Sequence, residues 1–208
     1  MGPSLILALG AVLASPPLPD GQYASTGIEP EPNGASEKRL LLLDHGRFEL
    51  VLTVGDTSLT SVWLEAKLEG TIEITGPSKV EGAQEILIRY TKKQIRRRTQ
   101  DLAVIQRLDL SRCLLDLDRW VDVSHVGCSW VLPLEAHAKD FDLLAVEGDL
   151  LRFGGRSAAV TAPSPERRPR YLGPPLRRER GGLSPSGKAP RGTEAESYRS
   201  PPAPSPKR

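Results

Sequence analysis

Alternation of polar and apolar residues dominates the middle of the chain. Arg47 to Val54 puts Phe48, Leu50, Leu52 and Val54 on one face, and Thr71 to Thr75 and Glu85 to Tyr90 alternate in the same way. A period of two residues is that of a strand buried on one side. Turn signals separate these runs at Asp44-His45-Gly46, Gly55-Asp56, Glu69-Gly70, Gly76-Pro77-Ser78, Glu81-Gly82 and Glu147-Gly148-Asp149, which predicts consecutive hairpins. The candidate strands are 22–26, 39–43, 47–54, 59–68, 71–75, 85–91, 141–146 and 150–154, with one more possible near 121–126. Eight antiparallel strands in series close most readily as an up-and-down barrel, because closure removes the exposed edges. The expected fold is therefore mainly β: an antiparallel barrel of about eight strands.

One stretch breaks the rhythm. Residues 92–110 are rich in helix formers, and Thr99 or Asp101 is placed to cap a short helix carrying Leu102, Ile105 and Leu108 on one side. The basic cluster Lys92, Lys93, Arg96, Arg97 and Arg98 lacks the interleaved aromatics of a single-strand nucleic-acid binder. A solvated, charged rim is the reading it supports.

Charge and proline content divide the chain. Residues 158–208 hold 11 Lys/Arg against 4 Asp/Glu and 11 of the 19 prolines, so the total charge of +2 conceals a body, residues 1–157, of net −5. With few large apolar residues the last segment cannot offset its ordering entropy, and a disordered basic tail is expected. At the other end, Leu5 to Ala14 is an uncharged apolar run followed by Ser15-Pro16-Pro17, with Val12-Leu13-Ala14 offering the small residues of a cleavage site. These features predict a signal peptide and linker over 1–19, a barrel domain over 20–157 and the tail over 158–208. No apolar run has the ~18 residues needed to cross a bilayer as a helix, and an acidic body argues against nucleic acid as a partner.

Candidate chemistry is sparse. Cys113 and Cys128 are the two cysteines, and in an exported protein a bridge between them closes a loop of 16 residues, worth ~3 kcal/mol in chain entropy. A redox site wants cysteines two apart, and a zinc site wants more ligands than His125 alone. His45, His125 and His137 are scattered and lack a Ser or Cys partner in a nucleophile motif, and Glu65, Glu69 and Glu73 are strand carboxylates facing solvent. No catalytic residue, metal site or cofactor is expected.

Several segments together resemble a known family. They are Gly21-Gln22-Tyr23-Ala24-Ser25, the run from Gly70 to Glu85, the spacing of Cys113, Trp120 and Gly127-Cys128, and the closing run from Asp142-Leu143-Leu144 through Gly148-Asp149-Leu150-Leu151-Arg152-Phe153-Gly154-Gly155-Arg156. In these the chain resembles the domain of the adenomatosis-polyposis-coli down-regulated protein family, as a single-domain, bacterial-type member. The resemblance implies a calycin-type barrel related in shape to lipocalins, and a cavity able to take a lipid. The animal members restrain Wnt signalling from the membrane. Where they carry a Cys-Glu-x-Arg-Pro segment this chain reads Gly27-Ile28-Glu29-Pro30, so one of their disulfides is missing and the Wnt role is not carried over.

The expectation is a secreted, periplasmic or cell-envelope binding protein, monomeric and not an enzyme, holding a lipophilic small molecule or lipidated partner. Its pocket would be lined by Phe48, Leu50, Leu52, Ile72, Ile74, Ile88 and Tyr90, with Trp63 and Trp120 at the mouth. The same residues serve equally well as ordinary core in a filled barrel. The alternative function is a solid-barrel interaction module whose basic tail attaches it to anionic envelope polymers or a membrane surface.

Overall fold

In the computed structural model, which describes residues 18–31, 34–155 and 161–180, eight antiparallel strands close into a barrel. They are β1 (Gly21–Ser25), β3 (Ser36–Asp44), β4 (Arg47–Gly55), β5 (Val62–Pro77), β6 (Ala83–Arg97), β8 (Lys139–Glu147), β9 (Leu150–Gly154) and β10 (Leu172–Arg178). Two short strands lie beside them: β2 (Glu29–Pro30) pairs with β3, and β7 (Trp120–Asp122) pairs with β6. Around the barrel the order is β1, β3, β4, β5, β6, β8, β9, β10 and back to β1. Each strand thus pairs with its neighbours in sequence, the up-and-down arrangement that the alternation predicts.

The hairpin residues do what their chemistry allows. His45 and Gly46 both have positive φ, 48° and 77°, between the paired residues Asp44 and Arg47. Two successive left-handed residues make the two-residue turn whose twist matches that of the flanking strands. The signal at Glu69-Gly70 is different, because here the strand continues. Predicted strands 59–68 and 71–75 are one strand, β5, and the backbone at Gly70 passes so close to β6 that a Cβ would run into the Arg89 carbonyl and the Phe48 ring. Glycine in a strand interior marks such an approach as well as a turn.

Inward-facing residues form one continuous core. Leu41, Leu43, Phe48, Leu52, Leu64, Ala66, Ile72, Ile86, Ile95, Leu144, Leu151 and Leu176 are all buried in it. Burial of each large side chain stabilises the fold by ~1.5–3 kcal/mol.

Two expectations are corrected. The helical excursion is shorter than predicted: α1 spans Leu102–Arg107, capped by the Asp101 carboxylate accepting from Ala103 and Val104 N–H, while residues 92–97 belong to β6. Ile105 and Leu108 are buried as expected, with Val104, but Leu102 is exposed. The boundary at 157 also moves. Residues 161–180 complete the barrel, because β10 supplies the strand between β9 and β1. Pro174 and Pro175 hid this strand; the β9 pairing shifts register between Leu172 and Pro175, the setting in which a sheet tolerates residues without an N–H. The apolar run predicted as a signal peptide and the tail beyond residue 180 lie outside the described residues.

Between β6 and β8 the chain makes a 41-residue insert, 98–138, holding α1, β7 and the disulfide. Cys113 and Cys128 are bonded, with their Cα atoms 5.7 Å apart. The insert contributes Val104, Ile105, Leu108, Leu110, Leu115, Val123, Cys128 and Val131 to the main core. It is a plug set into the wall beside the half of β6 that β8 does not reach, since β8 pairs only with residues 83–89.

Candidate site inside the barrel

The site begins with a change of phase in β6. Glu69 pairs with Lys92 and the next residue, Gly70, pairs with Tyr90, so Thr91 is an extra residue in the ladder. One extra residue reverses which face later side chains occupy. Ile86, Ile88 and Tyr90 face inward before it, and Lys93 and Ile95 face inward after it.

Lys93 therefore leaves the solvated rim to which its sequence neighbours belong and becomes 1 % exposed. Arg97 follows the same inward phase, with its Nε buried, whereas Lys92, Arg96 and Arg98 stay outside beside acidic residues. Lys92 stands 3.9 Å from Glu69, Arg96 2.6 Å from Glu65, and Arg98 3.0 Å from Asp118.

The buried ammonium is held by the insert. Nζ donates to the carbonyls of Leu132 at 2.9 Å and His137 at 2.6 Å, and lies 3.4 Å from His137 Nδ1 and 4.9 Å from the centre of the Tyr90 ring. The backbone of Lys93 bonds the insert as well: its N–H donates to Ser124 Oγ, and its carbonyl accepts from Val123 N–H. Burial lowers the Lys93 pKa from 10.5 to about 8, with Asp140 acting weakly in the opposite sense.

Two more elements complete a polar pole. A turn closed by His137 N–H on the Pro133 carbonyl brings the imidazole inward, where it is half-buried. Asp140, on β8 opposite Ile88, receives the Tyr90 hydroxyl at 2.8 Å and lies 2.9 Å from His137 Nε2, both on Oδ2. Its other oxygen accepts from Ala162 N–H at 2.6 Å. Asp142 accepts from the N–H groups of Leu143 and Gly154. The His137 Nε2 is buried beside the Asp140 carboxylate without an aligned hydrogen bond to it, so the contact between them is one of charge.

Beyond this pole is a cavity of about 110 Å³. Its apolar wall comes from Leu41, Phe48, Leu50, Leu52, Leu68, Ile72 and Ile88 on the barrel, and from Trp130, Val131 and Leu132 on the insert. Among the described lining residues only Leu132 is largely exposed, so the cavity meets solvent beside the insert. Arg39 also reaches the lining, but it is engaged by Glu37 at 2.7 Å and Glu29 at 3.1 Å. The buried Glu37 carboxyl is pushed up by desolvation, a rise that Arg39 opposes.

Of the residues expected to line a pocket, Phe48, Leu50, Leu52, Ile72, Ile88 and Tyr90 do so. Trp63, Ile74 and Trp120 do not. Trp63 is buried on the outer side of β5 beneath Arg107 of α1, whose guanidinium lies 4.3 Å from its ring. Trp120 sits on the outer face of β7 between Arg96 and Lys67, at 4.6 and 5.4 Å. Ile74 packs on the core away from the void. Of the three tryptophans, Trp130 is the one that lines the cavity.

The polar pole was missed from sequence. Lys93 left one signal, since apolar residues at 86, 88 and 90 give way to an apolar residue at 95, a switch from even to odd positions. His137 left only an acid three residues on.

Among the described residues a second cluster has metal-ligand chemistry: Asp20, Asp44 and His45, all exposed. Its geometry serves the β3–β4 hairpin, where Asp20 accepts the His45 N–H at 2.7 Å. It bears no relation to the cavity.

The closed eight-stranded barrel is established by its own pairing. No protein-family model matches the chain, and no curated protein matches it in sequence.

Proposed function

We propose that the protein is an exported, non-enzymatic binding protein that takes a small or slim lipophilic ligand into the barrel. The chain or apolar body lies against Leu50, Leu52, Leu68 and Ile72, and a polar end faces Lys93, His137 and Tyr90. The observation that carries this reading is the cavity itself, apolar along its walls and polar at one pole. Its size narrows the ligand. A dry cavity of ~150 Å³ takes up benzene or xenon, whereas pockets for drug-sized ligands run to ~300–1,000 Å³. At about 110 Å³ the site accepts a short-chain molecule or the end of one chain, and not a whole lipid.

The disulfide is consistent with an extracellular or periplasmic location, and the apolar N-terminal run supports export. The closed barrel and the Cys113–Cys128 bridge support reading the chain as a relative of the adenomatosis-polyposis-coli down-regulated family. A solid-barrel module attached by a basic tail is the weaker reading. Three of the basic residues assigned to that tail are engaged in the fold: Arg168 with Glu85, Arg177 with Asp149, and Arg178 with the Asp20 carbonyl.

The test is displacement of a fluorescent apolar probe by linear alcohols of increasing length. Saturable one-to-one binding of hexanol, lost in the cavity-filling variant Leu50→Trp that retains the wild-type circular dichroism, is the expected result. Absence of saturable binding for every alcohol, or equal binding by Leu50→Trp, overturns the reading.

A further inference from the structure

The polar pole has a geometry that simple solvation of a ligand does not need. A neutral amine has two N–H groups and one lone pair. At Lys93 two backbone carbonyls, Leu132 O and His137 O, stand at 2.9 and 2.6 Å and take two N–H groups. The remaining direction around Nζ faces His137 Nδ1 at 3.4 Å and the Tyr90 ring, both on the cavity lining. His137 Nε2 lies 2.9 Å from Asp140 without an aligned hydrogen bond, and the carboxylate charge there favours the proton of a neutral imidazole on Nε2. In the ammonium form the third N–H faces Nδ1, which can take that proton and leave the neutral amine with its lone pair on the same side, toward Tyr90 and the cavity. The arrangement places a nucleophile, a proton relay and a neighbouring carboxylate at the end of an apolar cavity.

We propose that Lys93 captures a small aliphatic aldehyde in the cavity as a reversible imine, with His137 relaying the protons. The inference rests on the cavity-binding reading and names its ligand class. The Nζ lone pair attacks the carbonyl carbon, forming the C–N bond while the C=O π electrons move to oxygen. One nitrogen proton passes through His137 Nδ1 to that oxygen, giving a carbinolamine. A second proton, relayed to the hydroxyl by His137, lets it leave as water as the nitrogen lone pair closes the C=N bond, and the iminium's remaining N–H proton returns to His137, leaving the imine. Amine and aldehyde thus give imine and one water, with no change of oxidation state and no co-reactant.

The lowered pKa of Lys93, about 8, supports the step by leaving roughly one amine in ten neutral at pH 7. An ordinary lysine at 10.4 holds about one in several thousand neutral at that pH. The surroundings also favour the product. Walls such as Leu68, Val131 and Ile88 limit the directions from which water can reach the imine, and the single N–H of the iminium keeps one of the two carbonyls as its partner.

The experiment uses the full chain with hexanal as the probe, at equimolar ratio and pH 7, followed by borohydride reduction and peptide mapping. The expected outcome is one hexyl group, carried on Lys93 in preference to exposed lysines such as Lys38 and Lys79, and no hexyl group at position 93 in Lys93→Arg. Labelling spread over exposed lysines with Lys93 unmodified overturns the proposal. Displacement of the apolar probe by hexanol is measured in parallel on the same wild-type protein. If hexanol binds and hexanal leaves Lys93 unmodified, imine capture fails and the binding reading stands; if neither occupies the cavity, both fail.

Discussion

Two regions enclose the same cavity by different physical means. The wall formed by β3, β4 and β5 is an array of period-two strands whose inward residues are mostly aliphatic, among them Leu41, Leu50, Leu52, Leu68 and Ile72. The insert 98–138 across from it has little regular structure, and it is fixed by a disulfide, by the bonds radiating from Lys93 and by buried side chains such as Val123 and Val131. The first region is stabilised by area removed from water, and the second also by a few directional contacts and a covalent bond. Apolar area tolerates local imperfection, whereas a polar anchor fails when one partner is lost.

The comparison can be broken most severely on the aliphatic side. Leu41→Ala removes a side chain only 1 % exposed and is expected to cost ~2–5 kcal/mol of global stability, read as a lowered urea midpoint with the transition still cooperative. On the insert side, replacing Cys113 and Cys128 together by Ser is expected to cost ~3 kcal/mol. Here the loss should be local: amide exchange should accelerate through 110–132 while amides of β3 to β5 keep their protection. Uniform acceleration in both regions would show that they unfold as one unit.

A smaller effect isolates the anchor. Because the folded pKa of Lys93, about 8, lies below the unfolded value of 10.5, the unfolded chain binds more protons between those limits. Stability therefore rises with pH in that window, as the cost of burying the ammonium is relieved. The urea midpoint of the wild type should increase from pH 8 to 9.5, and that of Lys93→Met should not. Above pH 10 the raised pKa of Tyr23 acts with the opposite sign, so the window is read below it.

How much was legible in the sequence follows the same division. The strands 47–54 and 150–154 were read nearly to the residue, because alternation is a local property of a half-buried strand. The cap of α1 at Asp101 was legible for a similar reason, since the carboxylate bonds N–H groups two and three residues away. By contrast β10 was read as tail, because its prolines and sparse apolar residues become a strand only when β1 and β9 stand on either side. Of the nine residues expected at a pocket, six stand around the cavity and Ile74, Trp63 and Trp120 do not; alternation assigns the two tryptophans to a face without saying what covers that face.

Sequence by itself determined that this chain makes a meander of β-strands with one aliphatic face, and that two cysteines are placed to bridge. Periodicity, turn chemistry and chain entropy act over a few residues, or through the unfolded chain, and need no knowledge of neighbours in space. Tertiary structure alone decided that Lys93 points inward, that His137 and Asp140 meet it, and that a cavity remains between barrel and insert. Those outcomes depend on one extra residue at Thr91 and on contacts between residues 93, 132, 137 and 140, and such coincidences of register exist only once the barrel has closed.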